Sequence, residues 1–152
     1  PAPTVKWPND VRMGGRKIAG ILIENEVQEE TVRFAIVGIG LNVNLDPGEH
    51  PEIAETATSL RNQVGHSVSR LTVLKALLGE LEALYLTIQG GDSVRDEWAA
   101  LLDTLGRNVR LAWGNDIFEG YAQGVDEQGC LLLRLADGSV LSLSAGEVTS
   151  QV

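Results

Sequence analysis

The first forty-odd residues alternate short apolar runs with small polar clusters, a pattern typical of strands joined by tight turns. Residues 18–23 form an apolar run rich in β-branched side chains, which predicts a strand covered on both faces. Residues 34–44 form a second strand-like run, in which period-two alternation places Gly38, Gly40 and Asn42 on one face. Glycines weaken a strand, so this pair indicates a slot for a ligand or another backbone. A glycine-relieved β-bulge, with Asn42 starting a turn, is an equal alternative.

The pattern changes to helical spacing between residues 58 and 105. Three helices are predicted, with Gly65 ending the first and Gly90-Gly91 ending the second. Their N-terminal caps are predicted to be Thr58 or Ser59, Ser69, and Asp92 or Ser93. In the second helix the apolar residues recur at steps of three and four, which predicts a core face. This apolar stripe consists of Leu71, Leu74, Leu78, Leu81, Tyr85 and Ile88.

From Gly106 the apolar residues alternate with period two, and turn residues separate the runs at 114–116, 126–129 and 137–138. This spacing is typical of a small meandering β-barrel. We therefore predict two domains, residues 1–105 and 106–152, with the boundary near residues 105–107. A module of about 45 residues is near the lower limit for independent stability, so we expect it to pack on the domain before it.

One stretch of the chain combines a cation with a carboxylate. Lys17 opens the first apolar strand, where its charge must either reach water along the aliphatic stem or be met by an anion. Lys6–Asp10 has turn chemistry, and Gly14-Gly15 is typical of a hairpin that returns the chain and brings Asp10 near Lys17. From the residues alone, a lysine that simply extends to solvent is the favoured interpretation.

Composition narrows the class of protein. The net charge is −9 with only 12 Lys and Arg residues, and no basic stripe is present for phosphate binding, which argues against a nucleic-acid partner. Cys130 is the single cysteine, so the sequence predicts neither an internal disulfide nor a zinc site. No signal peptide or apolar run of membrane length is evident. We expect a cytoplasmic protein with no membrane partner.

Three motifs follow one another closely: KWPND from Lys6, GRKIAGILIE from Gly15 and GIGLNVN from Gly38. Together, in this order, they resemble the catalytic domain of biotin protein ligases, the enzymes that join biotin to carboxylase carrier domains. The later segments resemble the rest of that family's C-terminal half, so the likeness covers essentially the whole chain. It implies an α+β fold, the C-terminal half of a class II synthetase or biotin ligase-like mixed sheet with helices, followed by an SH3-like β-barrel.

The resemblance also implies a two-step reaction that uses biotin, ATP and Mg²⁺. Biotin is first activated to biotinyl-5′-AMP, and a lysine of the biotin carboxyl carrier domain of an acetyl-CoA or related carboxylase then accepts biotin. Matching the family motifs residue by residue implies catalytic roles for Lys17 and Asp10, biotin contacts for Lys17, Gly20, Gly38 and Gly40, and nucleotide contacts for Asn9, Leu41 and Asn42. The resemblance assigns no residue as a metal ligand, but it implies that Asn42 lies nearest the nucleotide and its metal.

The family's catalytic domain normally begins upstream with strands and a glycine- and arginine-rich loop of the GRGRxG type, which this sequence does not contain. We therefore expect the chain to be the C-terminal portion of a ligase, to partner the missing N-terminal half, and to be inactive alone. Homodimerisation through paired sheets is a further expectation from the resemblance. Two alternatives stay open, a non-catalytic binding module of this family and a lipoate ligase-like enzyme.

Overall fold

The computed structural model describes residues 1–28 and 31–150, which divide into two compact units. Unit 1 comprises residues 1–3 and 9–77, and unit 2 comprises residues 4–8 and the chain from residue 78 onward. The fold is α+β with two antiparallel sheets, as the sequence predicts. The division falls inside the longest helix, whereas the predicted boundary near residues 105–107 lies just before the first strand of the second sheet.

The elements follow the predicted order of strands, helices and strands. The strands are β1 (Pro3–Lys6), β2 (Asp10–Met13), β3 (Arg16–Gln28), β4 (Thr31–Leu41), β5 (Asn108–Trp113), β6 (Asp116–Val125), β7 (Leu131–Arg134), β8 (Val140–Leu143) and β9 (Glu147–Ser150). The helices are α1 (Leu60–Val64), α2 (Arg70–Gln89) and α3 (Arg95–Ala100), with a short 3₁₀ turn at Pro47–Glu49.

The sheet of unit 1 is built from consecutive antiparallel strands, with β2 beside β3 and β3 beside β4. Gly14 and Gly15, at φ 58° and 78°, form the two-residue turn between β2 and β3. Both positions need positive φ, which glycine adopts without steric cost, and this fixes a tight hairpin. The predicted return of the chain after Asp10 is therefore confirmed.

The connection between the sheet and α2 is held by amide side chains. Asn44 donates from Nδ2 to the Val68 carbonyl over 2.8 Å and accepts the Val68 amide at Oδ1 over 2.8 Å. Within this connection α1 begins after Ser59, whose hydroxyl accepts the Asn62 amide, and ends at Gly65 in the left-handed conformation. Both predicted ends of this helix are confirmed.

Helix α2 forms where the 3.6-residue periodicity predicts it, but its burial differs from the prediction. No residue of α2 is buried, and the apolar stripe is between 38% and 61% exposed. The prediction that this stripe lies in a core is wrong for the described residues, because none of them forms a layer that covers it. No helix in the described part of the chain is long and apolar enough to cross a membrane.

The sheet of unit 1 is open in the same way. Ile18 is buried, but Leu22 and Ile23, which point to opposite faces of β3, are 62% and 60% exposed. Their cross-strand neighbours Gly38 and Val37 are exposed too. The prediction that residues 18–23 are covered on both faces is therefore wrong beyond the first two positions, since periodicity reports which residues need cover and not what supplies it.

In unit 2, α3 and the first strand pack with the second sheet. Helix α3 begins after Val94, which makes no side-chain cap, so the predicted caps at Asp92 or Ser93 are not used as such. Ser93 still accepts the Arg95 amide over 3.2 Å. In β1, the Val5 amide donates to the Leu101 carbonyl over 2.8 Å. The second of these bonds joins residues far apart in sequence within the same unit.

The second sheet has the strand order β8-β7-β6-β5-β9 and is the predicted SH3-like barrel. The predicted turns at 126–129 and 137–138 lie between its strands, and the one at 114–116 joins β5 to β6, with Asp116 already the first residue of β6. Its inward residues form one core with Trp7 and Leu102 from the preceding segments. The buried barrel residues are Val109, Leu111, Ala122, Val125, Leu131, Leu133, Leu143 and Val148.

Candidate active site

A cavity of about 460 Å³ lies on the sheet of unit 1. This volume is within the range of small-molecule sites. Strands β2, β3 and β4 and the turn before β2 supply its walls. The walls are formed by Asn9, Asp10, Lys17, Gly20, Ile21, Leu22, Gly38, Ile39 and Gly40. Six of the eight residues that the resemblance implies for the site are thus brought together by one hairpin and its neighbouring strand.

An ion pair stands at one side of this cavity. Lys17 Nζ lies 2.5 Å from Asp10 Oδ1, and the two side chains are 49% and 23% exposed. The ammonium therefore meets a carboxylate, as the predicted hairpin requires, while the half-exposed side chain also reaches water. An ammonium has three N–H donors, so one carboxylate oxygen leaves it able to bind a further anion.

The backbone of Lys17 is fixed from the side opposite β2. Its amide donates to the Thr56 carbonyl over 2.8 Å, and its carbonyl accepts the Thr58 amide over 2.8 Å. These two bonds make a parallel bridge with Ala57. The segment 56–58 therefore holds the start of β3 so that the Lys17 side chain can reach toward Asp10 and the cavity.

Glycines form the floor of the cavity. Gly20 pairs with Gly40, and Gly38 pairs with Leu22, in a stretch of the β3–β4 ladder without a register shift; the shift in this ladder lies between Glu26 and Val27. The alternative of a β-bulge at these glycines is therefore wrong. A Cβ added at Gly20 would lie 3.2 Å from both Cε and Nζ of Lys17, so glycine leaves room for the ion pair.

The other two glycines have room for a side chain. A Cβ at Gly38 would lie 3.6 Å from the Leu22 carbonyl oxygen and 4.0 Å from the Leu22 Cβ, and one at Gly40 would lie 3.9 Å from the Gly20 carbonyl oxygen. These are ordinary contacts, so strand packing does not require glycine at either position. The absence of side chains there instead keeps a flat surface free above the sheet, which is what a ligand slot needs.

Asn9 closes the cavity next to the ion pair. Its side-chain Nδ2 donates to the Ile21 carbonyl over 2.6 Å, and its own carbonyl accepts the Ile21 amide over 3.0 Å. Both bonds hold the turn after Pro8 against β3. Asn9 is therefore a wall residue with a fixed side chain. Because Nδ2 is bonded to the Ile21 carbonyl, the orientation of the side-chain oxygen Oδ1 is fixed as well.

Leu41 and Asn42 lie next to the cavity in sequence but outside its walls. Leu41 ends β4 opposite Ala19. Asn42 Nδ2 donates to the Thr58 carbonyl over 3.1 Å, and the Asn42 amide donates to the Ile18 carbonyl over 2.9 Å. Asn42 therefore ties the end of β4 to the segment that holds Lys17, and its nucleotide role stays a prediction.

Three wall residues were missed by the sequence reasoning, namely Ile21, Leu22 and Ile39. A signal for Leu22 was present, because period-two alternation from Gly20 puts it on the same face. The other two are opposite one another in the β3–β4 ladder. Their contribution depends on strand register, which one sequence does not specify.

Unit 2 has a second cavity, of about 420 Å³, around Trp98. Its cation is already engaged, because Arg95 donates from Nε to the Asp126 carbonyl over 3.1 Å and from Nη2 to the Val125 carbonyl over 2.7 Å. The remaining Nη1 pairs with Asp96 at 2.6 Å. Arg95 therefore serves to join α3 to the barrel, and the sheet cavity of unit 1 is the better candidate for chemistry.

Two segments of the chain match known families. Residues 2–42 match the Biotin/lipoate A/B protein ligase family, and residues 104–149 match the Biotin protein ligase C terminal domain. The first segment contains all eight implied site residues, and the second coincides with the barrel. The two matches therefore cover the cavity and the barrel separately.

Curated relatives give the same result. The chain is 36% identical over 137 residues to the bifunctional ligase/repressor BirA of Bacillus subtilis, covering 88% of this chain and 42% of that protein. It is 36% identical over 152 residues to the biotin–[acetyl-CoA-carboxylase] ligase of Mycobacterium tuberculosis, covering 97% of this chain and 53% of that protein. The chain thus spans about half the length of the curated relatives it matches.

Solved structures extend the likeness to three dimensions. The apo structure of biotin protein ligase from Aquifex aeolicus matches 99% of this chain and 66% of its own length, with a TM-score of 0.79 and 28% identity. The structure of that ligase in complex with biotin and ATP matches 99% of this chain and 62% of its own length, with a TM-score of 0.77 and 26% identity. Sequence motifs, curated relatives and fold agree, and the chain belongs to the biotin protein ligase family.

Proposed function

We propose that this chain carries the ion-paired, glycine-floored part of the active site of a biotin protein ligase. The observation that carries the proposal is the juxtaposition of the Lys17–Asp10 pair with the bare floor made by Gly20, Gly38 and Gly40. A flat ring can lie on such a floor while an anionic group reaches the ammonium. Biotin combines a planar ureido ring with a carboxylate, so its chemistry fits both features.

In the proposed first step, a biotin carboxylate oxygen attacks the α-phosphorus of ATP. A new P–O bond forms, the bond from that phosphorus to the bridging oxygen breaks, and pyrophosphate leaves with the electron pair. Negative charge gathers on the phosphoryl oxygens and on the leaving group. The remaining donors of Lys17 would stabilise this charge, since a preorganised cation acts most strongly where charge develops.

In the proposed second step, the lysine amine of a carrier domain attacks the carbonyl carbon of biotinyl-5′-AMP. The C–O bond to AMP breaks, AMP leaves as the phosphate anion, and the attacking nitrogen releases one proton to solvent as the amide forms. Asp10, already at the edge of the cavity, is the candidate to orient the incoming amine. Its carboxylate is an acceptor that an ammonium or amine can approach.

Mg²⁺ would enter with the nucleotide. No group of three or more His, Cys, Asp or Glu side chains among the described residues is arranged to hold a metal. Mg²⁺ is commonly held by substrate phosphates and one or two protein oxygens, so a dedicated cage is not required. Asn42 is the proposed residue nearest the nucleotide and its metal.

The uncovered apolar surfaces supply a second part of the proposal. The apolar stripe of α2 is exposed, and so are both faces of β3 around Leu22 and Ile23. Large exposed apolar surfaces are typical of interaction sites. The matched ligases are longer than this chain. We propose that the remaining part of the same ligase covers these surfaces and supplies the rest of the active site. Homodimerisation is the competing occupant for them, and light scattering tests it.

The test of the ligase function is biotin-dependent exchange of pyrophosphate into ATP, measured on the full-length protein that contains this sequence. We expect exchange with biotin and none with lipoate, because residues 104–149 match the biotin ligase C-terminal domain. The 152-residue chain is measured in parallel and is expected to show no exchange until the upstream ligase segment is added. Exchange with lipoate, or no exchange by the full-length protein, would refute the proposal.

Biotinylation of a carrier domain tests the second step separately. The reaction is followed by intact mass of the carrier, with a variant lacking its target lysine as the control. A full-length protein that makes biotinyl-5′-AMP but never modifies any carboxylase carrier would refute the proposed partner. A full-length protein that binds biotin without forming adenylate would favour the binding-module alternative.

A further inference from the structure

The hairpin of β2 and β3 contains an irregularity next to Lys17. Val11 of β2 pairs with Ala19 of β3. The next residue of β2, Arg12, pairs with Lys17, so Ile18 is passed over in this ladder. This is the pattern of a β-bulge, in which two residues of one strand lie opposite one residue of the other. Bulges re-aim side chains and are over-represented beside active sites.

The bulge sets the face on which the Lys17 side chain lies. In a regular strand, residues three positions apart point to opposite faces, so Lys17 and Gly20 would lie on different sides of the sheet. The extra residue, Ile18, takes up this odd step. Lys17 therefore shares a face with Gly20. Asp10 lies directly opposite Gly20 in the ladder and is ion-paired with the ammonium.

Contacts within unit 1 hold the bulge in place. Ile18 is 3% exposed, and its carbonyl accepts the Asn42 amide over 2.9 Å. The backbone of Lys17 is bonded to the Thr56 carbonyl and the Thr58 amide. Straightening the strand would move these backbone groups away from their partners, which is costly in a buried segment. The direction of the Lys17 side chain is thus a fixed property of the fold.

The Lys17 ammonium occupies the space that a side chain at Gly20 would take. A Cβ at Gly20 would lie 3.2 Å from both Cε and Nζ of Lys17 and 3.7 Å from Asp10 Oδ1. We propose that Gly20 is a positioning residue for Lys17. The bulge directs the lysine across the strand, and the bare glycine lets the ammonium lie between the strand and Asp10. We call this arrangement of the bulge, Gly20 and Asp10 the ion-pair site.

A side chain at Gly20 would displace the ammonium with little effect on the fold. Gly20 has an ordinary strand conformation, without the positive φ of Gly14 and Gly15, so its backbone accepts alanine. The atoms that the new Cβ would meet belong to the end of a flexible side chain. Gly20→Ala should therefore move Lys17 away from Asp10. A glycine that served only as floor for a ligand would leave the ion pair as it is.

The first experiment uses NMR on the 152-residue chain and needs no ligand. We expect a nuclear Overhauser effect between the ε-methylene protons of Lys17 and the α protons of Gly20, because Cε lies over Gly20. Without the bulge the two groups would lie on opposite faces of the strand. Absence of the effect would overturn the proposed ion-pair site. The measurement needs no variant, so it stands whether or not Gly20→Ala folds.

The second experiment measures how fast acetic anhydride acetylates Lys17 relative to Lys75, by peptide mass spectrometry. Lys75 is exposed on α2 and lies outside the cavity walls. An amine that is bonded to a carboxylate is less available as a nucleophile, so loss of the pair speeds the reaction. A solvent-screened pair contributes modestly, and we expect Gly20→Ala to raise the relative rate by about two- to fivefold.

Gly40→Ala is the matched control for this measurement. Gly40 pairs with Gly20 in the ladder, but its Cβ would lie 3.9 Å from the Gly20 carbonyl oxygen, which is an ordinary contact. This variant should not change the relative rate of Lys17. An unchanged rate in Gly20→Ala, or an equal rise in both variants, would overturn the positioning role.

The third experiment measures biotin-dependent pyrophosphate exchange by the full-length ligase, and its interpretation rests on the proposed ligase function. Misplacement of a reacting group by about 1 Å can cost on the order of 10²-fold in rate, so Gly20→Ala should lower kcat by about 10- to 10²-fold at saturating biotin. Gly40→Ala adds a methyl group to the floor and should act mainly on KM for biotin. A Gly20→Ala effect confined to KM would mean that Gly20 serves only as floor, which overturns the proposal.

The three readouts separate the possible failures. No exchange by the unaltered full-length protein would refute the ligase function and leave the NMR and acetylation results standing. An active ligase in which Gly20→Ala frees Lys17 without lowering kcat would refute the catalytic consequence of the ion-pair site. An active ligase that loses kcat while Lys17 stays paired would refute the positioning role, since the methyl group would then act on the substrate directly.

Discussion

Replacing Lys17 by glutamine distinguishes its proposed catalytic charge from its structural contacts. Glutamine keeps most of the length of the lysine stem and can still accept or donate a hydrogen bond. What it removes is the positive charge opposite Asp10. The variant is made in the full-length ligase, where both folding and adenylation can be measured.

The structure sets the expected loss of stability. The Lys17–Asp10 pair is short, at 2.5 Å, but the side chains are 49% and 23% exposed, so solvent screens the interaction. Pairs of this kind contribute roughly 0–1 kcal/mol. The backbone bonds of Lys17 to Thr56 and Thr58 do not involve the side chain and persist in the variant. We therefore expect the free energy of unfolding to fall by less than about 1 kcal/mol.

The expected loss of activity is larger. A preorganised group that stabilises charge only in the transition state contributes about 2.7–4 kcal/mol, which corresponds to about 10²–10³ in rate. Biotin-dependent pyrophosphate exchange measures this rate, and thermal unfolding measures the stability on the same sample. Arg16→Gln is the matched control, because Arg16 lies outside the cavity walls and should change the rate much less.

Near-normal exchange by Lys17→Gln, with an unchanged Tm, would refute the catalytic assignment. A rate loss shared equally by Arg16→Gln would also refute it, since a general loss of positive charge would then explain both. Asp10→Asn adds a third measurement. If Asp10 orients the incoming amine, that variant should lose transfer to the carrier more than formation of the adenylate.

Asn42→Ala should weaken ATP binding more than biotin binding, and loss of the hydrogen bond to Thr58 should lower the free energy of unfolding by about 1 kcal/mol. Calorimetric titration with ATP and with biotin measures the two affinities separately. If the variant binds both ligands as tightly as the unaltered protein, Asn42 serves only to hold the end of β4. Gly38→Val should fill the cavity floor and abolish biotin binding with little change in Tm, because its Cβ has room, so retained binding would mean that the floor is not used. The Ser142 hydroxyl, followed by backbone amides, lowers the pKa of Asp126 below its ordinary value of 3.8. The ionised carboxylate therefore contributes stability above that value that is lost as pH falls through the folded pKa. Asp126→Asn should flatten the acid side of the Tm profile, and an unchanged profile would contradict this.

The features predicted correctly are those with local causes. Gly14-Gly15 specifies a hairpin because both positions need positive φ, and that hairpin alone brings Asp10 beside Lys17. The glycine floor follows from period-two alternation once β3 and β4 pair. Ser59 and Gly65 mark the ends of α1 for reasons of capping chemistry. Each of these depends on residues close together in sequence.

The features that were missed depend on distant residues. Trp7 is bonded to Thr104 and Gly129, about a hundred positions away, and nothing in KWPND indicates that its tryptophan lies in the barrel core. The exposure of the apolar stripe of α2 could not be predicted either. Periodicity identifies an apolar face, but whether that face is covered depends on what packs against it.

Because the cavity is exposed, solvent weakens the electrostatic stabilisation that Lys17 can supply. A cation stabilises developing charge strongly only where water is excluded, because the interaction weakens as the effective dielectric constant rises. In this chain the Lys17 side chain is 49% exposed, so the segment proposed to cover the sheet would also be needed for the full effect.

We expect Lys17→Gln to reduce affinity for a stable analogue of biotinyl-5′-AMP by less than about tenfold in the 152-residue chain. The reduction should be at least about tenfold greater in the full-length ligase. Added salt should diminish the effect in the short chain far more than in the full-length protein, since exposed charges are screened and covered ones are not. Equal reductions in the two proteins would mean that the pocket of unit 1 already supplies the whole electrostatic environment, and that water exclusion is not what the covering segment contributes.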